Sequence, residues 1–383
     1  MKFVLIGNYP LDRQESMRRY TENLNDQIKK SGHDSEIWIP KVFFAYGQKT
    51  TTAGVSKWLG YLDKWILFPL TLKIKILKHV SAKSEVNYHI CDHSNSPYLN
   101  YLPKAKTGIT CHDVLAIRGA MGHKDAFCDA TFFGKFLQKA ILKNLKKAKI
   151  LTTVSKLTMN QLIEMCSGFP KPEQNWKVIY NSFNADFFPM PRGQRQDLLR
   201  ANGISIDKPF LLYVGSSLPR KNRKMLLEML VSLNGRWDGV VCFAGQPLDN
   251  NLIDFALANK LEDRIISIVK PDHNLLVALY SSCSAFIFPS FSEGFGWPLI
   301  EAQACGAPVI ASNIQPMPEI SNGTALHADP YNPLDFATAF LQSTNEEVRS
   351  QLISTGHKNC LRFNREHIIN EFLDLYNRQS TFS

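Results

Sequence analysis

Short, continuous apolar runs separated by segments of helix length are the feature of this sequence that most restricts its fold. Apolar character without polar alternation is typical of strands that are buried on both faces of a sheet. Strands that alternate with helices favour a parallel, doubly wound α/β sheet. The runs are FVLIG (3–7), SEIWI (35–39), VNYHI (86–90), TGITC (107–111), KILTT (149–153), KVIY (177–180), PFLLYVG (209–215), GVVCFAG (239–245), RIISIV (264–269), SAFIFP (284–289) and APVIA (307–311).

The strand pattern restarts near residue 209, and 383 residues are many for one domain. The segment 181–209 between the two series is rich in Pro, Asn, Gly and charge, as linkers are. We therefore expect two Rossmann-like domains, 1–190 and 191–364, that face each other across a cleft. Residues 365–383 should form a C-terminal helix that packs back on the first domain, because REHIINEFLDLYNRQS has apolar residues at helical spacing.

The net charge of +10 is concentrated in the first half of the chain. Residues 1–190 hold 27 Lys and Arg against 15 Asp and Glu, whereas residues 191–383 hold 17 against 19. A basic half suggests an anionic partner for that half, or a solvated lysine-rich surface. No nucleic-acid module is recognisable, so we expect no nucleic-acid partner.

Eight scattered cysteines form no C-x-x-C pair, which favours a reducing compartment and no structural zinc. The opening KFVLIGNYPLD is too short for the apolar region of a signal peptide, and no run approaches the length of a spanning helix. We expect a cytoplasmic protein that is soluble or peripheral to the membrane.

The segment SAFIFPSFSEGFGWPLIEAQACGAPVIAS (284–312) carries the strongest chemical signal. It predicts a strand, a loop, a helix that begins at Pro298, a turn at Gly306 and a second strand. In the loop, Gly294 and Gly296 allow the backbone to approach a ligand closely. Amides at the start of such a helix attract an anion such as a phosphate.

Two acidic residues flank that predicted anion site. Glu301 should lie in the first turn of the helix and suits a ribose, because carboxylates accept hydrogen bonds from sugar diols. Glu293, across the loop, suits a hexose in the same way. A glycine-rich turn with a capping glutamate is the structural alternative.

The seven residues between Glu293 and Glu301 resemble the E-x7-E signature of retaining GT-B glycosyltransferases of family 4. The resemblance implies a nucleoside-diphosphate sugar donor and transfer of a hexosyl group with retention to an acceptor hydroxyl, in cell-surface polysaccharide or glycolipid synthesis. It implies that Glu301 holds the nucleotide ribose. For the remaining donor contacts it implies Glu293 and the amides of Gly294, Phe295 and Gly296 for the sugar, and Pro298 and Leu299 at the start of the helix that faces the diphosphate.

A second segment, LLYVGSSLPRKNRKMLLEML (211–230), combines a strand end with a basic cluster. Arg220 and Lys221 could neutralise a leaving diphosphate, and the resemblance implies this role for both. Some members of the family carry Arg directly after Gly215, where this chain has Ser216. No D-x-D pair is present, so we expect neither a metal nor another cofactor, and phosphate charge would be met by cations and helix amides.

Residues of the first half are expected on the acceptor side of the cleft. His112 and Asp113 resemble the strand-end His-Asp pair of the family, which implies that His112 reaches the donor sugar. His93 and Ser94 end a neighbouring strand. The loop 8–20 lacks the glycines of the family, and Ser16 within it is a candidate contact of acceptor or phosphate.

A membrane partner is the interpretation that we favour for the basic charge. The segment GKFLQKAILKNLKKAKI (134–150) predicts a basic amphipathic helix with Leu137, Ile141 and Leu145 on one stripe. The segment 57–80 mixes Trp, Phe and Lys, which is typical of interfacial segments. An ordinary helix with a solvated lysine face is the alternative.

Three rival functions fit parts of the sequence. A GT-B nucleotide-sugar epimerase would bind the same donor without an acceptor. A glycosyltransferase-like binding protein would bind without turnover. A dinucleotide-dependent oxidoreductase would need G-x-G-x-x-G after the first strand, and the chain has GNYPLDRQ there. The nucleotide base, the sugar (mannose, glucose, rhamnose or another hexose), the acceptor and the oligomeric state stay open.

Overall fold

The computed structural model describes residues 1–81, 85–204 and 208–377. The chain divides into two compact units. The first unit comprises Met1–His123, Cys128–Asn184 and the chain from Arg365 onward, and the second comprises Lys124–Phe127 and Ala185–Asn364.

The first unit contains a parallel six-stranded sheet of order β2-β1-β3-β4-β5-β6. Its strands are β1 (Lys2–Ile6), β2 (Asp34–Trp38), β3 (Val86–Ile90), β4 (Thr107–Cys111), β5 (Ile150–Thr153) and β6 (Asn175–Val178). Its helices are α1 (Glu15–Lys30), α2 (Gly54–Leu62), α3 (Phe68–Ser81), α4 (Leu115–Ala120), α5 (Phe132–Leu145) and α6 (Lys156–Met165).

The second unit contains a parallel six-stranded sheet of order β12-β11-β10-β7-β8-β9. Its strands are β7 (Phe210–Gly215), β8 (Val240–Gly245), β9 (Ile265–Val269), β10 (Ala285–Phe288), β11 (Val309–Ser312) and β12 (Leu326–Ala328). Its helices are α7 (Arg192–Ala201), α8 (Met225–Leu233), α9 (Asn250–Ala258), α10 (His273–Ser282), α11 (Trp297–Ala304), α12 (Met317–Ser321), α13 (Pro333–Ser343) and α14 (Glu346–Cys360).

The last helix of the chain, α15 (Arg365–Asn377), belongs to the first unit. Its apolar face packs in one core cluster with Phe3 and Leu5 of β1. Tyr376 is buried in that cluster, and its Oη donates a hydrogen bond to the carbonyl of Tyr88 at 3.1 Å. The predicted extension of this helix to residue 380 lies, beyond Asn377, outside the described residues.

Two stretches that the sequence assigned to the first domain belong to the second unit. Residues 185–190 are tied to α10, because the amide of Met190 donates to Ser281 Oγ at 3.0 Å. Residues 124–127 join the second unit, where the ring of Phe127 stacks on that of Phe291 at 5.0 Å between centroids. Side-chain contacts that are remote in sequence decide both placements.

The sequence-predicted strands all correspond to observed strands within two residues, and β12 was not predicted. The two sheets and their surrounding helices confirm the predicted α/β class. β12 is three residues long and reads Leu-His-Ala, so it has no apolar run by which a strand could be recognised.

The amphipathic stripe predicted within 134–150 does not face solvent. Ile141 and Leu145 are buried in the core of the first unit, and Leu137 packs against it. These side chains cover the sheet, so the stripe cannot contact a membrane. The prediction of a membrane-facing stripe at these residues was wrong. The apolar side chains that α5 exposes to solvent are Phe132, Phe133 and Phe136.

The segment 57–80 falls in one uninterrupted helical stretch. α2 continues through a π-helical turn, Asp63–Leu67, directly into α3. The buried Asp63 fixes this turn, because its carboxylate accepts hydrogen bonds from Tyr9 Oη at 2.6 Å and from three backbone amides. Lys64, also buried, pairs with Asp12 at 2.8 Å.

Candidate functional site

In the second sheet the strand order reverses between the adjacent strands β7 and β10. Ligands of doubly wound sheets bind beyond the carboxyl ends of the strands at such a point. The loop after β7 carries Arg220 and Lys221, and the loop after β10 carries Glu293. The topology therefore brings together two segments that are about 70 residues apart in the chain.

Glu293 is held by both cations. Its Oε1 accepts a hydrogen bond from Lys221 Nζ at 2.6 Å, and its Oε2 accepts one from Arg220 at 2.9 Å. Arg220 also donates to the carbonyl of Ser292 at 2.8 Å. The carboxylate is 7% exposed, so both ion pairs are shielded from water.

Electrostatics keep this carboxylate ionised. Burial by itself would raise the pKa of Glu293, but the charges of Lys221 and Arg220 outweigh it and lower the pKa to about 2. The second unit therefore presents two cations and one fixed anion at its switch point. One net positive charge is left, which suits an anionic ligand.

Asn222 joins three loops around this site. It has a left-handed backbone conformation, with φ 51°, and follows the short turn Pro219–Lys221. Its Nδ2 donates hydrogen bonds to the carbonyls of Pro289 at 3.1 Å and Pro330 at 2.8 Å. The side chain thus fixes the loop of the cations to the loop of Glu293.

The helix after the glutamate loop begins one residue earlier than predicted. Gly296 precedes it with φ 108°, and Trp297 is its first residue. Pro298 is the second residue and has no amide hydrogen to offer. The amide of Leu299 donates to the carbonyl of Gly296 at 3.0 Å. Fewer free amides are therefore available at the start of α11 than the sequence analysis expected.

Glu301 does not lie in the first turn of this helix, as the sequence analysis expected. It is the fifth residue of α11 and is buried. Its Oε2 accepts a hydrogen bond from Tyr280 Oη at 3.1 Å, and burial followed by the carboxylate charge raises the pKa of Tyr280. Glu301 thus has a different hydrogen-bond partner from Glu293. The helix begins one residue earlier than predicted because proline is tolerated at the second helical position as well as at the first.

Close packing fixes the positions of Gly215, Ser216 and Phe295, which the sequence analysis also predicted to contact the sugar donor. Gly215 ends β7, and a Cβ there would lie 2.7 Å from Tyr213 Oη. The same hydroxyl donates to the carbonyl of Ser216 at 3.1 Å. Phe295 buries its ring against Phe363, with the centroids 5.6 Å apart, so its side chain anchors the loop.

The switch point of the first sheet lies between β1 and β3, and it carries a polar cluster of its own. Asn8, after β1, donates to the buried carboxylate of Asp92, after β3. Asn95 donates to Asn8 Oδ1 at 3.1 Å. Burial would raise the pKa of Asp92, but the nearby His93 and His112 and the hydrogen bond from Asn8 lower it.

His93 and Ser94, both predicted, belong to this cluster. The amide of Ser94 donates to Asp92 Oδ1 at 2.9 Å. The Nδ1 atom of His93 lies 3.4 Å from the same oxygen. The carboxylate thus caps the short helical turn that follows it and faces an imidazole.

His112 directly follows β4 and is buried. Its Nε2 donates to the carbonyl of Cys91 at 2.8 Å, which leaves Nδ1 as the acceptor atom of a neutral ring. Burial lowers the pKa of His112, although the carboxylate of Asp92 acts in the opposite direction. Asp113 accepts a hydrogen bond from the amide of Leu115 at 3.0 Å and so caps α4.

Residues 194–359 match the family described as glycosyl transferases group 1. The chain thus carries a group 1 glycosyltransferase domain in its second unit. It is 27% identical over 250 residues to an O-antigen chain mannosyltransferase B of Escherichia coli, a match that covers 63% of this chain and 64% of that protein. The chain therefore spans less than two thirds of the length of this relative.

Solved structures show the same fold over the whole chain. A sucrose-phosphate synthase from Thermosynechococcus elongatus superposes with a TM-score of 0.74 at 18% identity and full coverage of both chains. The Anabaena protein Alr3699/HepE in complex with UDP-glucose superposes with a TM-score of 0.70 at 15% identity, covering 98% of this chain and 99% of that one. The chain thus has the GT-B fold that the sequence predicted.

Some residues of the two switch-point clusters and of the Glu301 environment escaped the sequence analysis. Asn222 could have been found, because Asn readily adopts the left-handed conformation that a turn after a strand requires. Asp92 also gave a signal, as a carboxylate that directly follows an apolar strand. Tyr280 gave none, since its contact with Glu301 depends on the packing of α10 against α11.

Three further expectations concerned Ser16, a metal site and a membrane-spanning helix. Ser16 is exposed at the second position of α1. Within the described ranges, no group of three or more His, Cys, Asp and Glu could hold a metal ion. No helix in those ranges has the length and apolar character needed to cross a bilayer.

Proposed function

We propose that the chain transfers a hexosyl group, most simply mannosyl, from a nucleoside-diphosphate sugar to a hydroxyl of a glycan or lipid-linked acceptor. The reaction would serve the synthesis of a cell-surface polysaccharide. The name of the Escherichia coli relative supports mannose and O-antigen chains. The UDP-glucose in the Anabaena neighbour supports a nucleotide-sugar donor and leaves the base of this chain's own donor open.

One observation carries the proposal, namely the ion pairs of Glu293 with Arg220 and Lys221 at the switch point of the second sheet. A diphosphate leaving group gains negative charge as its bond to the sugar breaks. Fixed cations stabilise that charge more in the transition state than in the ground state, which accelerates the reaction. Glu293, fixed between the cations, would present its remaining lone pairs to sugar hydroxyls.

The other residues take roles around this centre. Glu301 would bind the ribose hydroxyls, with Tyr280 orienting its carboxylate through the 3.1 Å hydrogen bond. Gly294 and Gly296 would let the loop approach the sugar, and Gly296 already has a positive φ. The Nδ1 atom of a neutral His112 would accept a hydrogen bond from a hydroxyl of the donor sugar.

Retention of the anomeric configuration is part of the proposal. No carboxylate nucleophile is required if the leaving phosphate accepts the proton of the acceptor hydroxyl. The cations would then hold the phosphate oxygen in place during both events. With no metal expected, Lys221, Arg220 and backbone amides would neutralise the diphosphate.

The test is a panel of nucleotide sugars, first screened by thermal shift, since a ligand that binds the folded state raises the melting temperature. The ligands that bind are then incubated with and without acceptor glycans. Transfer of sugar to the acceptor supports the proposal, and NMR of the new linkage reports retention or inversion. A changed sugar without acceptor would indicate an epimerase, and binding without any product a non-catalytic protein.

Glu301→Ala separates the ribose assignment from the reaction. We expect this variant to bind nucleotide more weakly than the parent and to retain its response to acceptor. If it binds nucleotide and turns over like the parent, the site assignment is wrong. We also propose contact of the basic first unit with an anionic membrane surface, where a lipid-linked acceptor would be found.

A further inference from the structure

The helical stretch 54–81 of the first unit presents an apolar stripe to solvent. Seven large apolar side chains follow one another at steps of three and four residues and are between 37% and 76% exposed. Soluble proteins rarely expose contiguous apolar surface of this extent without a binding role. The stripe comprises Val55, Trp58, Leu62, Ile66, Leu70, Ile74 and Leu77.

The geometry of the helix keeps the stripe on one face. Steps of four residues rotate by about 40° per step around an ideal α-helix, because each residue turns by about 100°. The wider π turn at Asp63–Leu67 offsets part of that rotation. Asp63, Lys64 and Phe68 on the other face are buried. The stretch is therefore fixed to the unit along one side and exposed along the other.

Three phenylalanines at the start of α5 extend the apolar surface. Phe132, Phe133 and Phe136 are 90%, 52% and 69% exposed. The ring of Phe133 meets that of Trp58 edge to face, with the centroids 5.1 Å apart. An open apolar recess of about 450 Å³ lies between α2 and the first turn of α5. The docking face, defined here as the stripe plus these three residues, is thus continuous across two helices.

Charge around the docking face is of one sign. The segment 54–81 contains five lysines, all at least partly exposed except the buried Lys64, and its single acidic residue is the buried Asp63. The segment 131–149 contains six lysines and no acidic residue. Exposed apolar side chains flanked by lysines match the two layers of an anionic bilayer surface, which are acyl chains below and negative headgroups above.

We infer that the docking face lies on the surface of an anionic bilayer, with its apolar side chains among the acyl chains and its lysines at the headgroups. This places membrane contact on the stripe and on the phenylalanines of α5, and not on the buried Leu137, Ile141 and Leu145. A second copy of the chain is a poorer occupant, because two faces of this charge repel each other. This placement rests on the membrane contact proposed above and is independent of the transfer reaction.

The experiment is co-sedimentation of the full chain with phosphatidylcholine vesicles, with and without phosphatidylglycerol. The stripe variant is Ile66→Ser/Leu70→Ser/Ile74→Ser, and the charge variant is Lys78→Gln/Lys135→Gln/Lys139→Gln. The control variant, Val231→Ser/Leu257→Ser/Leu361→Ser, changes apolar residues of the second unit that are 45%, 57% and 71% exposed. All six of the stripe and charge positions are exposed, so melting curves should show folded proteins.

We expect the parent and the control variant to bind anionic vesicles equally, and less as salt rises. The stripe variant should bind at least roughly tenfold more weakly, and the charge variant roughly a hundredfold more weakly, given the contribution of each lysine near an anionic surface. Absence of parent binding to anionic vesicles, or binding by the stripe and charge variants that is as tight as that of the parent, would overturn the inference. The inference would also be overturned if light scattering showed a dimeric parent and a monomeric stripe variant while the parent did not bind vesicles.

Discussion

The ammonium group of Lys221 lies 2.6 Å from Oε1 of Glu293, a residue 72 positions later in the chain. The same carboxylate also accepts from Arg220, so both of its oxygens are engaged at the centre of the second sheet. This arrangement determines the charge state of the candidate site. The two ion pairs also contribute to the free energy of unfolding of the second unit.

Glu293→Gln should destabilise the protein near neutral pH and much less in acid. The folded-state pKa of about 2 lies below the unfolded value of 4.5, so the ionised group stabilises the fold above pH 4.5. That contribution, about 3 kcal/mol, is lost as the pH falls towards 2. The measurement is the free energy of unfolding of parent and variant, by urea denaturation, across this pH range.

Glu228→Gln is the matched control for that experiment. Glu228 pairs with Lys224 at 2.9 Å on a more exposed helix surface. Such pairs typically contribute about 0.5 kcal/mol or less. A loss for Glu293→Gln that is no larger than that of the control, or that does not shrink with pH, would contradict the ion pairs described here.

Lys221→Gln should reduce kcat by roughly a hundredfold to a thousandfold, because it removes a cation from a developing diphosphate charge. The expected change is in kcat and in kcat/KM together, since the interaction strengthens in the transition state. Steady-state kinetics with the donor found in the nucleotide-sugar panel measure it. Lys224→Gln, three residues further on, is the control and should leave both constants near those of the parent. An increase in KM at unchanged kcat would assign Lys221 to ground-state binding.

Asn222→Gly should cost about 2 kcal/mol of stability, because it removes two hydrogen bonds but keeps the left-handed backbone. Asn222→Ala should cost about 1 kcal/mol more, since alanine is strained at a φ of 51°. Both variants should also lose activity, as the loops of Lys221 and Glu293 are no longer tied. Thermal and urea unfolding give the order of the three proteins.

Asn234→Gly provides the comparison for Asn222. Asn234 also has a left-handed backbone, with φ 45°, at the end of α8. Its replacement by glycine should change stability by less than about 0.5 kcal/mol, because glycine suits this cap position. If both glycine variants behave alike, the hydrogen bonds of Asn222 to Pro289 and Pro330 contribute nothing measurable.

Gly108→Ala should destabilise the first unit by roughly 1–3 kcal/mol, because overpacking forces neighbours to move. A Cβ at Gly108 would lie 2.3 Å from Tyr376 Oη. Tyr376→Phe removes that oxygen and should itself cost about 1 kcal/mol for its lost hydrogen bonds. In a double-mutant cycle the second change should recover part of the cost of the first. Strictly additive losses would show that the two residues do not meet.

The sequence predicted the sheets well because each strand is a continuous apolar run, and such a run can be recognised without knowing what packs against it. It predicted the partners of individual side chains less well. The stripe Leu137, Ile141 and Leu145 reads the same whether it faces a core or a bilayer, and only packing against the sheet decides. Likewise, the motif around Glu293 and Glu301 indicates carboxylates near a ligand, but the pairing of Glu293 with Lys221 requires the order of β7 and β10.

The packing of α15 on β1 has a consequence for how the protein is made. Phe3 and Leu5 pack in one cluster with Phe372 and Tyr376, which are translated about 370 residues later. One face of the first sheet therefore stays open while the whole second unit is translated. Because exposed apolar sheet surface promotes aggregation, this face would depend on chaperones until α15 is translated.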